Sequence, residues 1–83
     1  MKVLYFAWIR EKIGMDAEAV TPPKSVATVS DLADWLAAKG DSYRDALQDR
    51  ARIRAAVNQT FAGWDHPINL GDEVAFFPPV TGG

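Results

Sequence analysis

The spacing of apolar and polar residues changes period several times along this chain, and each change predicts an element. Residues 2–10, KVLYFAWIR, hold two β-branched and three aromatic side chains in nine positions with no Gly or Pro. That composition predicts a strand, because such side chains pack well on a pleated surface. Val3, Tyr5, Ala7 and Ile9 then share one face and Leu4, Phe6 and Trp8 the other. Both faces are apolar, so either both are covered or one is left as a patch for a partner. Glu11 to Gly14 reads as a turn, and Asp16–Thr21 as a short second strand ended by Pro22 and Pro23.

At Thr28 the period lengthens. Val29, Leu32, Ala33 and Leu36 recur at helical spacing, with Trp35 at the edge of the stripe. Thr28 stands as an N-cap three residues before Asp31, close to the capping-box pattern, and Gly40 suits the position beyond a helix end. These signals predict a helix over about 29–39. Asp41 to Gln48 predicts a short second helix carrying Tyr43, Ala46 and Leu47. From Ile53 the period returns to two, with Ile53, Ala55 and Val57 opposite Arg52, Arg54 and Ala56, a half-exposed strand. Asn58-Gln59 reads as a tight turn, Thr60–Ala62 as another strand, Asp65-His66-Pro67 as a second turn, and Asp72–Phe77 as the last strand before Pro78-Pro79.

Two strands, a main helix and three strands predict an α+β domain, a mixed sheet packed on that helix in the ubiquitin-like β-grasp arrangement. The first connection is short enough for a hairpin. The expected division is a β-grasp domain over residues 1–77 and an extended, flexible C-terminal Gly-Gly tail over 78–83. Eighty-three residues leave room for one small core and no second domain.

Composition narrows the function classes. Apolar residues make up 48% and charged ones 24%, which suits a folded chain and not a disordered one. Nine basic against eleven acidic residues give a net charge of −2. No pull toward nucleic acid or anionic lipid follows, and a basic partner surface is the better electrostatic match. No apolar run approaches the roughly 18 residues of a membrane span, and MKVLYFAWIREK lacks a secretory cleavage site. The expected location is the cytoplasm.

Chemistry within the body is scarce. Cysteine is absent, which removes disulfides and thiolates, and His66, the single histidine, completes no ordinary zinc site. Ser25, Ser30 and Ser42 have no Gly-rich elbow, and the six glycines form no phosphate loop. The remaining candidate for chemistry is the end, PPVTGG. Pro78 and Pro79 fix the direction in which the chain leaves the sheet. Val80, Thr81, Gly82 and Gly83 then extend up to roughly 13–14 Å, and two residues without Cβ atoms pass through a narrow channel. A carboxylate at that end is a poor electrophile until activated, for instance as an acyl-adenylate.

Residues 55–83, AAVNQTFAGWDHPINLGDEVAFFPPVTGG, resemble the small subunits of molybdopterin synthase, the sulfur-carrier proteins of molybdenum cofactor biosynthesis. The opening KVLYFAWIREKIG and the helix TVSDLADWLAAKG are similar to that family too, and GDEVAFFPPVTGG is the most specific stretch. The resemblance implies that a ubiquitin-activating-like enzyme adenylates Gly83 with ATP and Mg. A sulfurtransferase or cysteine desulfurase system then converts it to a thiocarboxylate. The tail inserts into the synthase large subunit and donates sulfur to cyclic pyranopterin monophosphate, and two deliveries build the dithiolene. The same resemblance implies no bound cofactor, no enzyme activity for this chain alone, catalytic residues on the large subunit, and a heterotetramer of two small and two large subunits. Gly83 is the carrier, Gly82, Thr81, Val80, Pro79 and Pro78 guide the insertion, and Phe77, Phe6 and Phe61 with Arg10 form the partner interface. A thiamine-pathway sulfur carrier and a ubiquitin-like protein modifier are the alternatives.

Overall fold

The computed structural model describes residues 1–79, so the roles expected of Val80, Thr81, Gly82 and Gly83 lie outside the described residues. Five strands and three helices follow one another as β1 (Lys2–Tyr5), α1 (Ala7–Ile13), β2 (Ala17–Ala19), α2 (Val29–Ala37), α3 (Asp41–Leu47), β3 (Arg54–Val57), β4 (Thr60–Ala62) and β5 (Glu73–Phe77), with a 3-10 turn at Arg50–Arg52. The strands form one mixed sheet in the order β2-β1-β5-β3-β4. β1 and β5 pair in parallel and the other neighbours antiparallel. This is the expected ubiquitin-like β-grasp.

Alternation decides which face is covered. Val3, Tyr5, Val74, Phe76, Ala55 and Val57 point inward and are buried with Ile9 and Ile13 of α1, Leu32 and Leu36 of α2, and Leu47 of α3. Tyr5 stacks on Phe76 at 6.5 Å between ring centroids, and Trp64 stacks on Phe76 at 6.4 Å. Trp8, Trp35 and Trp64 all pack against the margin of this core, half-buried. The helices cover one face of the sheet only, so the open alternative, an uncovered apolar face, is the one realised.

The N-terminus of α2 is as expected. Thr28 Oγ1 accepts from the Asp31 N–H at 3.1 Å, and Asp31 Oδ2 accepts from the Thr28 N–H at 3.2 Å, a complete capping box. An additional bond from the Ala27 N–H is the main reason the Asp31 carboxyl titrates below its usual range, with Thr28 adding to it. Gly40 does not follow the end of α2. The helix stops at Ala37 with Ala38 as its cap, and Gly40 instead precedes α3.

The strand expected over residues 2–10 is a strand only as far as Tyr5, and the expected turn at Glu11–Gly14 is mostly helix. Ala7 has φ 54° and turns the chain out of the sheet at once. β2 offers three residues to pair with and β5 five, so a nine-residue strand would carry its far end past both partners with its backbone groups unpaired. Helix α1 satisfies them internally. It buries Ile9 and Ile13, four apart, and ends where Gly14 at φ 92° donates its N–H to the Arg10 carbonyl at 2.8 Å. The link from β1 to β2 is therefore a helix and not a tight hairpin, although the two strands are antiparallel, with Lys2 opposite Ala19 and Leu4 opposite Ala17.

Candidate functional site at the tail exit

The inward parity of Tyr5 and Phe76 places their neighbours Phe6 and Phe77 on the outer side. The Phe6 N–H donates to the Phe76 carbonyl at 3.1 Å, which sets Phe6 at the same end of the sheet as Phe77. Antiparallel pairing puts Arg54 opposite Phe77 and Phe61 opposite Ala56. Phe61 is 79% exposed and Phe6 45%, large fractions for aromatic rings, while Phe77 is half-buried. The Phe61 and Phe77 rings lie 5.6 Å apart between centroids. An open cleft of about 420 Å³ lies between them, lined by Arg54, Ala55, Phe61, Ala62, Gly63 and Phe77.

The strand registers extend this patch across the outer face. Ala17, Leu4, Ala75, Ala56 and Phe61 stand in one cross-strand row over all five strands. Three of the five are alanines, and Phe61 stands at the β4 edge of the row. Pro78 and Pro79 follow Phe77 directly and are half-buried. Thus the residues expected at a partner interface, Phe6, Phe61, Phe77 and Arg10, do gather where the chain leaves β5. Arg10 is exposed on α1, one helical turn beyond Phe6.

Two further cations belong to this end and were not singled out from the sequence. Arg52 lies over the Trp8 ring at 5.2 Å, and Arg54 is held by bonds from Nη1 to the Ile53 carbonyl at 2.9 Å and the Ala51 carbonyl at 3.5 Å. The alternation of arginines in Arg50-Ala51-Arg52-Ile53-Arg54 was the available signal. Arg50 differs from the other two. It bonds to Ser30 Oγ at 2.8 Å, pairs with Asp34 and lies over Trp64 at 5.0 Å, so it ties α2 to the loop after β4.

The most strongly perturbed titratable groups are elsewhere. Glu18 on β2 accepts from the Tyr5 and Tyr43 hydroxyls at 2.8 Å each and from Lys39 Nζ at 3.3 Å. Burial acts most strongly on Glu18 and pushes its pKa up, but the three hydrogen bonds and the Lys39 charge together leave it below the ordinary value. Burial first, then the bond to Glu18, raises Tyr43 to about 12 and moves Tyr5 further in the same direction. Such a cluster is a candidate site when it lines a cleft. Glu18 does border an open cleft with Lys2, Ala17 and Asp72, but its oxygens are taken up in tying edge strand β2 to β1, to α3 and to Lys39 beyond α2. The cluster lies at the opposite edge of the sheet from the Phe61 cleft, and no group of three metal-binding side chains occurs among the described residues. His66 is exposed and is used through its backbone, whose carbonyl accepts from the Val29 N–H at 3.0 Å.

The site can therefore bind and present, with an apolar aromatic patch at the root of the tail. Comparison with known proteins decides its kinship, since the sequence profile described as the ThiS family matches residues 3–83. The chain belongs to the ThiS family. It is similar to the molybdopterin synthase sulfur carrier subunit of Escherichia coli (strain K12), 51% identical over 100% of this chain and 99% of the relative. The corresponding subunit of Haemophilus influenzae is 42% identical over 100% of this chain and 99% of its own length. Among solved structures, SAMP1 from Haloferax volcanii superposes with a TM-score of 0.75 at 30% identity, covering 100% of this chain and 98% of that one. These relatives bear out the resemblance to molybdopterin synthase small subunits, and the solved structures bear out the β-grasp fold expected from the order of elements.

Proposed function

We propose that this chain is the sulfur-carrier subunit of a molybdopterin synthase. The observation that carries the reading is the 51% identity, end to end, with a relative of that name. The central strand ends in an aromatic patch with Phe6 and Phe61 exposed, which supports a carrier that delivers its end to another protein. On this reading the Gly83 carboxylate attacks the α-phosphorus of ATP in an activating enzyme that binds MgATP, releasing pyrophosphate and leaving an acyl-adenylate. Sulfide, or a persulfide from a sulfurtransferase system followed by a thiol that reduces the acyl disulfide, displaces AMP to leave a thiocarboxylate. The thiocarboxylate donates its sulfur to cyclic pyranopterin monophosphate in the large subunit and returns with water to the carboxylate. Phe6, Phe61 and Phe77 dock on that subunit, Arg10 adds a contact at the margin, and Pro78 and Pro79 aim the tail. The working location is the cytoplasm, and no helix among the described residues is long and apolar enough to cross a membrane.

Intact-mass measurement tests the reading. After incubation with the activating enzyme, MgATP and a sulfur source, the C-terminal peptide should gain the mass difference between sulfur and oxygen. A variant lacking Gly83 should fold normally and gain nothing. An unchanged mass in the wild-type chain, under conditions that convert the E. coli relative, would overturn the proposal. The 30% identity with SAMP1, also described among solved structures as a small archaeal modifier protein, supports a second reading in which the same activated end acylates a lysine amine. Conjugates carrying a Gly83 isopeptide in place of the sulfur-bearing mass would favour it.

A further inference from the structure

The charge of the whole chain is negative, but three arginines gather at the tail exit, where Asp65 beside Gly63 is an acid at the cleft margin. Three of the five arginines, Arg10, Arg52 and Arg54, belong to this end, and none of them pairs with a carboxylate among the described residues. Arg44 and Arg50, which belong to the helical side, are both paired. Arg52 and Arg54 are also already placed, one by the Trp8 ring and the other by backbone carbonyls, so little side-chain freedom remains to be lost on binding. Two carbonyls engage a single nitrogen of Arg54, and the other N–H groups of its five-donor fork stay available. Arg54 sits at the wall of the cleft between Phe61 and Phe77.

We propose that the tail-exit face docks onto a partner surface with an apolar projection bordered by carboxylates, the projection filling the Phe61–Phe77 cleft and the acids meeting Arg52 and Arg54. The inference deepens the sulfur-carrier reading and rests on it, because it specifies the surface that receives the carrier. A second copy of this chain does not fit, since a face-to-face pair would bring two unpaired arginine clusters together. The basic partner suggested by net charge alone does not fit either. What a partner meets within about 8–10 Å, the reach of unscreened charge at moderate salt, is the local cluster and not the sum over the chain.

Association of the full chain with the purified large subunit, followed by stopped flow between roughly 20 and 500 mM salt, reads out the steering directly. The wild-type association rate should fall about tenfold or more across that range. The variant Arg52→Gln/Arg54→Gln should begin near the high-salt wild-type rate and change less than about twofold, while Arg52→Lys/Arg54→Lys keeps most of the slope. Matching thermal melts show that each variant is folded. Binding with a salt slope unchanged by the glutamine pair, a wild-type rate that is flat or rises with salt, or self-association through the same face overturns the acid-bordered surface and leaves the sulfur-carrier reading standing. Failure of the wild-type chain to bind the large subunit at any salt overturns both.

Discussion

Replacing Glu18 with Ala should destabilise the fold far more than an ordinary surface substitution, and the hydrogen bonds give the size. Three donors converge on this carboxylate, from Tyr5, Tyr43 and Lys39. Tyr5 is only 1% exposed, so its hydroxyl loses its partner without easy access to water, a loss of about 1–3 kcal/mol. The Tyr43 and Lys39 groups are more accessible and add about 1 kcal/mol between them. The sum, about 2–4 kcal/mol, corresponds to a melting point lowered by roughly 10–25 °C in a domain of this size. Removing the stranded hydroxyl as well should recover much of it, so the double variant Tyr5→Phe/Glu18→Ala should melt above Glu18→Ala alone. The pH dependence has a defined sign. The folded-state pKa lies below the ordinary 4.5, so the carboxylate contributes fully above that value and the contribution is lost as pH falls through the lowered one. Glu18→Gln should therefore be less stable than wild type near neutrality and converge with it in acid. Denaturant melts of wild type, Tyr5→Phe, Glu18→Ala, the double variant and Glu18→Gln at several pH values decide the matter. Additive effects within about 0.5 kcal/mol, or a Glu18→Gln deficit that persists in strong acid, would refute the network as described.

Two further outcomes follow from local geometry. Phe61→Ala should shift stability by less than about 0.5 kcal/mol, since the ring is largely exposed, yet weaken binding of the large subunit by about 1.5–3 kcal/mol if docking covers it; titration calorimetry beside a thermal melt separates the two effects. Gln59→Gly should raise stability by about 0.5–1 kcal/mol, because Asn58 and Gln59 have φ of 50° and 69° in a two-residue hairpin where glycine is preferred second; a melting point that falls would show that the Gln59 side chain contributes more than its backbone strain removes.

Local signals in the sequence survived folding, and signals that needed the third dimension did not. The Thr28–Asp31 cap was legible because both partners lie within one helical turn. The outward placement of Phe6 and Phe77 was legible from strand parity, and parity held for Phe6 even though the strand ended one residue before it. The same aromatic and branched content concealed α1, whose own signals were the Ile9 and Ile13 spacing, the basic last turn and Gly14. Propensity lost there to the length of the neighbouring strands. The Glu18 network was not readable, since its tyrosine and lysine donors lie 13, 21 and 25 residues away. The arginine cluster had a signal in the alternation of Arg50, Arg52 and Arg54, but net charge hid it, because that sum averages over faces that a partner meets one at a time.

On the reading proposed here, the body must aim an end whose chemistry happens in other proteins, and the placement of β5 answers that need. It is the central strand, paired in parallel with β1 on one side and antiparallel with β3 on the other, with Val74 and Phe76 fully buried beneath it. The strand leading to the tail is therefore among the last parts of the fold to open. Pro78 and Pro79 continue that rigidity for two residues past the sheet by fixing φ. A tail leaving an edge strand such as β2 would inherit the fraying of that edge and spread its end over many directions. Each would have to be frozen out, at a cost in affinity, when the tail entered a narrow site. Substitutions that loosen β5 without unfolding the domain should accordingly slow delivery more than activation of a tail already bound, because delivery depends on where the chain points and activation on the end alone.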